Sequence, residues 1–132
     1  MKKLLALLVS LLPLASLAEV AKISSAEAAK LVAEGKAVLV DVREPSEWVE
    51  SGVAAPAALL PKSEFDAGLA GDWKNFLAKV GDKQIIAYCR SGRRSGMVAA
   101  ALEAKGHKAA NAGTLKEWQE SGLPTRSVKE SP

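Results

Sequence analysis

Continuous apolar runs alternate along this chain with segments in which apolar residues recur every three or four positions. The runs at 37–40 and 84–88 predict central strands of a parallel sheet, because such strands are covered on both faces. The periodic segments at 25–34, 63–80 and 93–105 predict helices. This alternation predicts an α/β fold, an open parallel sheet of about five strands with helices on both faces.

Shorter segments complete the predicted order of elements. Short strands are expected at 20–23, 57–60 and 108–110, the first of them at an edge of the sheet. A short helix is expected from Pro45, which suits a first helical turn, and another over 115–120. Right-handed crossovers between parallel strands would place a site at the carboxyl ends of the strands.

The first 18 residues have the features of an export signal. Lys2 and Lys3 give a basic start, residues 4–12 are apolar, and small residues precede a cleavage position after Ala18. A membrane anchor is the weaker alternative, since the apolar run is too short to span hydrocarbon. The chain is therefore expected to be exported, with a signal peptide at 1–18 and no membrane span after cleavage. One domain follows over 19–132, with a polar, loosely ordered tail from about 127.

Charge argues against a nucleic-acid partner. The full chain has 18 basic and 15 acidic residues, but Lys2 and Lys3 leave with the signal, so the mature charge is 16 against 15, or +1. The sequence shows no basic stripe interleaved with aromatic residues. The charge of interest is local and lies between residues 90 and 94.

Cys89, the single cysteine of the chain, stands where a predicted strand meets a glycine-containing loop. Arg90, Arg93 and Arg94 follow it, and a helix starts nearby. Loop N–H groups, the helix start and the guanidinium groups all favour an anion there, and they should lower the pKa of the thiol. A nucleophilic cysteine that faces an anionic substrate is predicted, and an inert buried cysteine is the alternative.

Few other residues offer chemistry. Asp41 ends a predicted strand near the arginine loop, where it either takes part in the site or caps the following turn. His107, the sole histidine, follows a helix-ending glycine and is expected at the surface. No second histidine or cysteine has ligand spacing, so neither a metal site nor a cofactor is expected. The three tryptophans are expected to pack in the core: Trp48, Trp73 and Trp118.

Three motifs resemble the rhodanese-like sulfurtransferases. Residues 89–94, CRSGRR, resemble the C-R-x-G-x-R active-site loop of that family. Residues 41–48, DVREPSEW, are similar to its first motif. Ala112-Gly113, Trp118 and residues 122–125 resemble its closing motif, and these landmarks span most of the mature chain in the family's order.

The resemblance, with the export signal, implies a small single-domain periplasmic thiosulfate sulfurtransferase. It implies that Cys89 takes sulfur from thiosulfate as a persulfide and passes it to cyanide or to a thiol, a protein thiol included. The implied donor-binding residues are Arg94 and Arg93, with Ser91 and Gly92 of the loop.

The resemblance also implies a scaffold for the loop. It consists of Asp41, Arg43 and Arg90, with Arg90 turned inward to pair with Asp41. One departure is that Val53 and Pro56 stand where the family commonly has histidine and glycine. A changed loop, rather than lost chemistry, is expected there.

Two rival functions are distinguished by residues of the loop. A phosphatase or arsenate reductase would need arginine at the position of Ser95, because the larger loop cradles a tetrahedral anion. A sulfur carrier or binding module with little turnover of its own would share the fold. Retention of Cys89 and of the loop arginines favours the enzyme.

Overall fold

A computed structural model describes residues 20–130. The strands are β1 (Ala21–Lys22), β2 (Ala37–Asp41), β3 (Val53–Ala54), β4 (Ala58–Leu59), β5 (Gln84–Cys89), β6 (Ala109–Thr114) and β7 (Thr125–Arg126). The helices are α1 (Ser25–Ala33), α2 (Pro45–Ser51), α3 (Lys62–Asp66), α4 (Trp73–Lys79), α5 (Arg93–Ala104) and α6 (Leu115–Glu120).

The main sheet has five strands in the order β1-β6-β5-β2-β4, and every neighbouring pair is parallel. Because β5 lies at the centre, its carboxyl end is flanked by the ends of β2 and β6. The predicted α/β fold, with a parallel sheet of about five strands, is confirmed.

Alternation along the central strand divides the core between the two faces of the sheet. Ile85, Ala87 and Cys89 pack in one cluster with residues of α4 and α5. Ile86 and Tyr88 pack in the other cluster with residues of α1 and α6. Successive side chains of a strand point to opposite faces. The reactive sulfur therefore belongs to the α5 side of the sheet.

The tryptophans are core residues, as predicted. Trp48, Trp73 and Trp118 are buried. Each indole N–H donates to a partner inside the protein, at 2.9 Å to the Pro61 carbonyl for Trp73 and at 2.7 Å to the Pro124 carbonyl for Trp118. Burial of an indole without such a partner would cost free energy, and these bonds remove that cost.

Two features of the strands differ from the sequence-based expectation. The last strand of the main sheet runs to Thr114 rather than ending at 110, with a register shift opposite the segment from Ala87 to Cys89. Strands β3 and β7 also form a second, antiparallel sheet that was not predicted. Val53, which replaces the family's usual histidine, is fully buried in β3, and Pro56 is exposed in the turn that follows.

The predicted signal peptide lies outside the described residues. Within residues 20–130, no helix is both long and apolar enough to cross a membrane. The segment 127–130 contains neither helix nor strand. The division into a signal peptide and one domain stays a prediction.

Candidate active site

The sulfur of Cys89 lies inside a tight loop between β5 and α5. Gly92 has φ +89°, in the left-handed region that glycine adopts without a steric penalty. This conformation lets the chain turn from the loop into α5, and the Gly92 N–H donates to Cys89 Sγ at 3.0 Å. Cys89 itself is fully buried. The loop therefore encloses a single sulfur atom.

The surroundings of Cys89 favour its thiolate. Burial, the largest single influence, opposes ionisation, but hydrogen bonds from Ser95, Gly92 and Ser91 together outweigh it. They lower the pKa of the Cys89 thiol below its ordinary value. An inert buried cysteine would show the opposite shift, because burial alone raises the pKa of a thiol.

Ser95 and Asn111 complete the surroundings of the sulfur. Ser95 is fully buried on α5, and its Oγ lies 3.4 Å from Cys89 Sγ and 2.7 Å from Asn111 Oδ1. Asn111 projects from β6, and its Nδ2 donates to the Gly92 carbonyl at 2.9 Å. Sequence reasoning placed Asn111 beyond the end of a strand, and only the parallel pairing of β5 with β6 brings it to the loop.

Arg94 is held in an ion pair rather than left free. Its two terminal nitrogens donate to the two carboxylate oxygens of Glu47, at 2.7 and 2.9 Å. Hydrogen bonding from Arg94, the largest cause, lowers the pKa of Glu47 to about 2 against the opposing effect of burial. The same pair raises the pKa of Arg94. Glu47 was not among the predicted site residues, although it stands in the quoted motif at 41–48.

The other two loop arginines are exposed. Among the residues that the structure describes, Arg90 and Arg93 form no salt bridge. Ser91 between them is exposed as well, and its Oγ accepts from the Arg93 backbone N–H at 3.4 Å. The positive charge available to an approaching anion therefore comes from Arg90 and Arg93.

The predicted pair between Arg90 and Asp41 is not formed, and this expectation needs correction. Asp41 instead accepts from Arg43, with 2.9 Å to Nη2, and from the Trp48 indole at 3.1 Å. The Arg43 backbone N–H also donates to the same carboxylate at 2.9 Å. Asp41 pairs with Arg43 because the Arg43 side chain is buried beside it, only two residues along the chain, whereas Arg90 is exposed to solvent.

Two clefts flank the loop. One has a volume of about 550 Å³ and is bordered by Ser91, Gly92 and Asn111 on the side of α1 and α6. The other has a volume of about 310 Å³ and is bordered by Arg90, Glu47 and Arg43. Small molecules have room to approach the loop from either side.

His107 lies away from this site. It precedes β6, at the amino end of the parallel strands, whereas Cys89 ends β5 at the carboxyl end. Within residues 20–130, no group of three or more His, Cys, Asp or Glu side chains is placed to hold a metal ion.

Comparison with known proteins identifies the fold. A family model described as the rhodanese-like domain matches residues 24–121. The chain belongs to the rhodanese-like family. Membership supports a role related to sulfur transfer.

Individual relatives of this rhodanese-like chain are moderately similar to it. An uncharacterized protein of Synechocystis sp. is 33% identical over 97 residues, which is 72% of this chain and 50% of that relative. This chain therefore spans half the length of that curated relative.

Solved structures cover more of the chain. A rhodanese-like domain protein of Staphylococcus aureus is 28% identical with a TM-score of 0.62, covering 81% of this chain and 99% of that one. The polysulfide-sulfur transferase of Wolinella succinogenes, a homodimer of 30 kDa, is 25% identical with a TM-score of 0.64. That comparison covers 86% of this chain and 83% of the Wolinella protein.

Proposed function

We propose that this protein moves sulfane sulfur from thiosulfate to a thiophilic acceptor, cyanide or a thiol, through a persulfide on Cys89. The observation that carries this proposal is the Cys89 sulfur enclosed by loop donors, with the Gly92 N–H at 3.0 Å. A loop that holds one sulfur atom suits a persulfide better than a tetrahedral phosphate. Buried Ser95 occupies the position where a phosphate-binding loop would need arginine.

The reaction would have two displacement steps. The Cys89 thiolate attacks the outer sulfur of thiosulfate, a new S–S bond forms, and the old S–S bond breaks with its electron pair leaving on sulfite. Cyanide then attacks the outer sulfur of the persulfide, so that thiocyanate leaves and the thiolate returns. The kinetics are ping-pong, and neither step needs a general base.

Loop donors would stabilise both anionic states of the cysteine. The N–H groups of Ser91, Gly92 and Ser95 lower the pKa of the thiol and point at the same small volume. Donors aimed at a buried anion act more strongly than donors in water. We expect Arg93, and Arg90 beside it, to attract the dianionic donor over a longer range.

A carrier or binding module with little turnover is the second candidate. Two observations favour it: Cys89 is fully buried, and Arg94 is already paired with Glu47. A donor can reach the sulfur only after neighbouring groups move. A partner protein that moves them would turn a slow enzyme into an efficient sulfur carrier.

Incubation with thiosulfate and cyanide tests the enzyme directly. Wild type should produce thiocyanate, and intact mass spectrometry should show one added sulfur atom after thiosulfate alone. Cys89→Ser should do neither. If wild type takes up sulfur but makes little thiocyanate, the carrier function stands; if no sulfur is added to Cys89, both proposals fail.

We also propose that the mature protein acts in the periplasm, on the strength of the residues at 1–18. N-terminal sequencing of the protein from a periplasmic extract should begin at Glu19. Recovery of the full-length chain in the cytoplasmic fraction would overturn this proposal.

A further inference from the structure

The side-chain amide of Asn111 has only one satisfactory orientation. Its Oδ1 accepts from the Gly113 backbone N–H at 3.0 Å, and its Nδ2 donates to the Gly92 carbonyl at 2.9 Å. A flipped amide would set an NH2 group against an N–H and an oxygen against a carbonyl oxygen. Two backbone groups of opposite polarity therefore direct Oδ1 toward Ser95.

The single proton of the Ser95 hydroxyl lies between Ser95 and Asn111. The two oxygens are 2.7 Å apart, and an amide oxygen accepts but never donates, so Ser95 must supply the proton. Ser95 is fully buried, so bulk solvent does not reach its hydroxyl. A hydroxyl that donates to Asn111 presents only its lone pairs to Cys89.

This arrangement suits the thiol form of Cys89 more than the thiolate form. A thiol S–H can donate to the Ser95 oxygen at 3.4 Å, but a thiolate needs a donor in that place. Ser95 becomes a donor to sulfur only when its hydroxyl rotates and the hydrogen bond to Asn111 breaks. The Ser95 hydroxyl lowers the pKa of Cys89 only when it donates to the sulfur.

We propose that Asn111 is a positioning residue that holds the Ser95 proton away from Cys89 and so limits how readily the thiol ionises. The hydroxyl turns toward sulfur when the thiolate forms, and it turns back when the sulfur is neutral. Asn111 has a second effect, because it anchors the Gly92 carbonyl and with it the N–H that donates to Sγ. The two effects act on the thiol in opposite directions.

Charged groups do not decide the position of this proton. Those around the site are Arg94 from α5 with Glu47 from α2, the Asp41–Arg43 pair at the end of β2, and Arg90 and Arg93 of the loop and the helix start. Lys22 from β1 and Glu117 from α6 line the same cleft as Asn111, and the Glu117 carboxylate accepts from Thr114. Among residues 20–130, no side-chain hydrogen bond joins any of them to Ser95 or Asn111. The Ser95 hydroxyl proton therefore has two alternative acceptors, Asn111 Oδ1 and Cys89 Sγ.

A double-mutant cycle separates the hydroxyl effect from the anchoring effect. The proteins are wild type, Asn111→Ala, Ser95→Ala and the double variant. Thiol ionisation is followed against pH by the rate of alkylation with iodoacetamide and by thiolate ultraviolet absorbance. The chain has one cysteine, so both signals report Cys89 alone.

The inference predicts that Asn111→Ala acts differently in the two backgrounds. With Ser95 present, loss of Asn111 frees the hydroxyl to donate to sulfur. The change that Asn111→Ala makes in the thiolate-to-thiol ratio at a given pH should therefore be several-fold greater with Ser95 present than in the Ser95→Ala background. A difference of about tenfold corresponds to one hydrogen bond to a charged group. Equal shifts in both backgrounds would mean that Asn111 only anchors the loop, and the inference would be wrong.

Two further variants keep the result decisive. Ser95→Thr retains the hydroxyl and should restore the dependence on Asn111. Circular dichroism and thermal melting check folding, and Asn111→Ser replaces Asn111→Ala if the latter does not fold. Only the catalytic importance of this proton rests on the proposed function. Ionisation of Cys89 is measured without thiosulfate, so a negative result here and a failure of the sulfurtransferase proposal can be distinguished.

Discussion

Arg94 and Glu47 form a two-point ion pair beside the Cys89 loop, with nitrogen–oxygen distances of 2.7 and 2.9 Å. The carboxylate occupies the guanidinium edge that a bound anion would otherwise use. The pair is neutral as a whole, so Glu47 holds the Arg94 guanidinium in place and cancels its positive charge. Glu47 would therefore compete for Arg94 with an anionic donor that binds there, as predicted from the sequence.

This competition gives a prediction for thiosulfate kinetics. Arg94→Ala should raise the KM several-fold to tenfold, since it removes a cation and leaves the Glu47 carboxylate to repel the donor. Glu47→Gln should lower the KM. The double variant should recover part of the loss of Arg94→Ala, and no recovery would show that Glu47 does not act on the substrate. Steady-state rates of thiocyanate formation measure all three.

The same pair should make stability depend on pH in the acid range. The pKa of Glu47 falls from 4.5 to about 2 in the folded protein. Its contribution is therefore present above pH 4.5 and is lost as pH falls toward 2. Because the pair is partly exposed and screened by solvent, we expect about 0.5–1 kcal/mol. Urea unfolding of wild type and Glu47→Gln should differ by that amount at neutral pH and converge near pH 2; a constant gap would contradict the prediction.

Two glycines allow strain to be separated from chemistry. Gly92 and Gly106 have φ of +89° and +98°, and an added Cβ would meet no atom closer than 3.6 Å at Gly92 and none within 4 Å at Gly106. Each change to alanine should therefore cost about 1–2 kcal/mol of backbone strain. Only Gly92→Ala should also reduce kcat/KM, by about tenfold or more, because the N–H that donates to Sγ is displaced. Equal kcat/KM in the two folded variants would show that the Gly92 N–H does not contribute to activity.

The buried pair of Asp41 and Arg43 should dominate the stability of the scaffold. Asp41→Asn leaves the Arg43 charge buried and uncompensated, at a cost of about 3–5 kcal/mol. Asp66→Asn, which removes the exposed partner of Lys62, is the matched control and should cost about 0.5 kcal/mol or less. Urea midpoints at unchanged slope measure both. Similar costs for the two variants would contradict the role assigned to Asp41.

Sequence patterns predicted the fold because the central strands are unmistakably apolar. Residues 37–40 and 84–88 have few polar positions, and parallel pairing then brings their carboxyl ends together. The last strand was predicted too short because Asn111 and Gly113 are poor strand formers. Asn111 bonds to the Gly92 carbonyl of the loop, and Gly113 bonds to Asn111, so tertiary contact rather than local preference places them in the strand.

The site was only partly visible in the sequence. Three arginines near one cysteine predicted a positive loop, but the partners of Arg94 and of Asp41 were not predicted. Glu47 and Arg94 are 47 residues apart, and no local rule joins them. Arg43, rather than Arg90, reaches Asp41, because direction relative to the sheet decides the pairing and composition does not. The catalytic role of Cys89 and the binding roles of the loop residues stay predictions.

The small sheet formed by β3 and β7 bears on how the chain folds. Arg126 donates to the carbonyl of Ala55 at 3.0 Å, across a separation of 71 residues. Closing so large a loop carries a high entropic cost, and contacts of this kind form late. We expect the C-terminal segment to join the folded core last. A chain still emerging from the ribosome lacks the β3–β7 pairing until residues 125–126 have been made, although every strand of the main sheet precedes them.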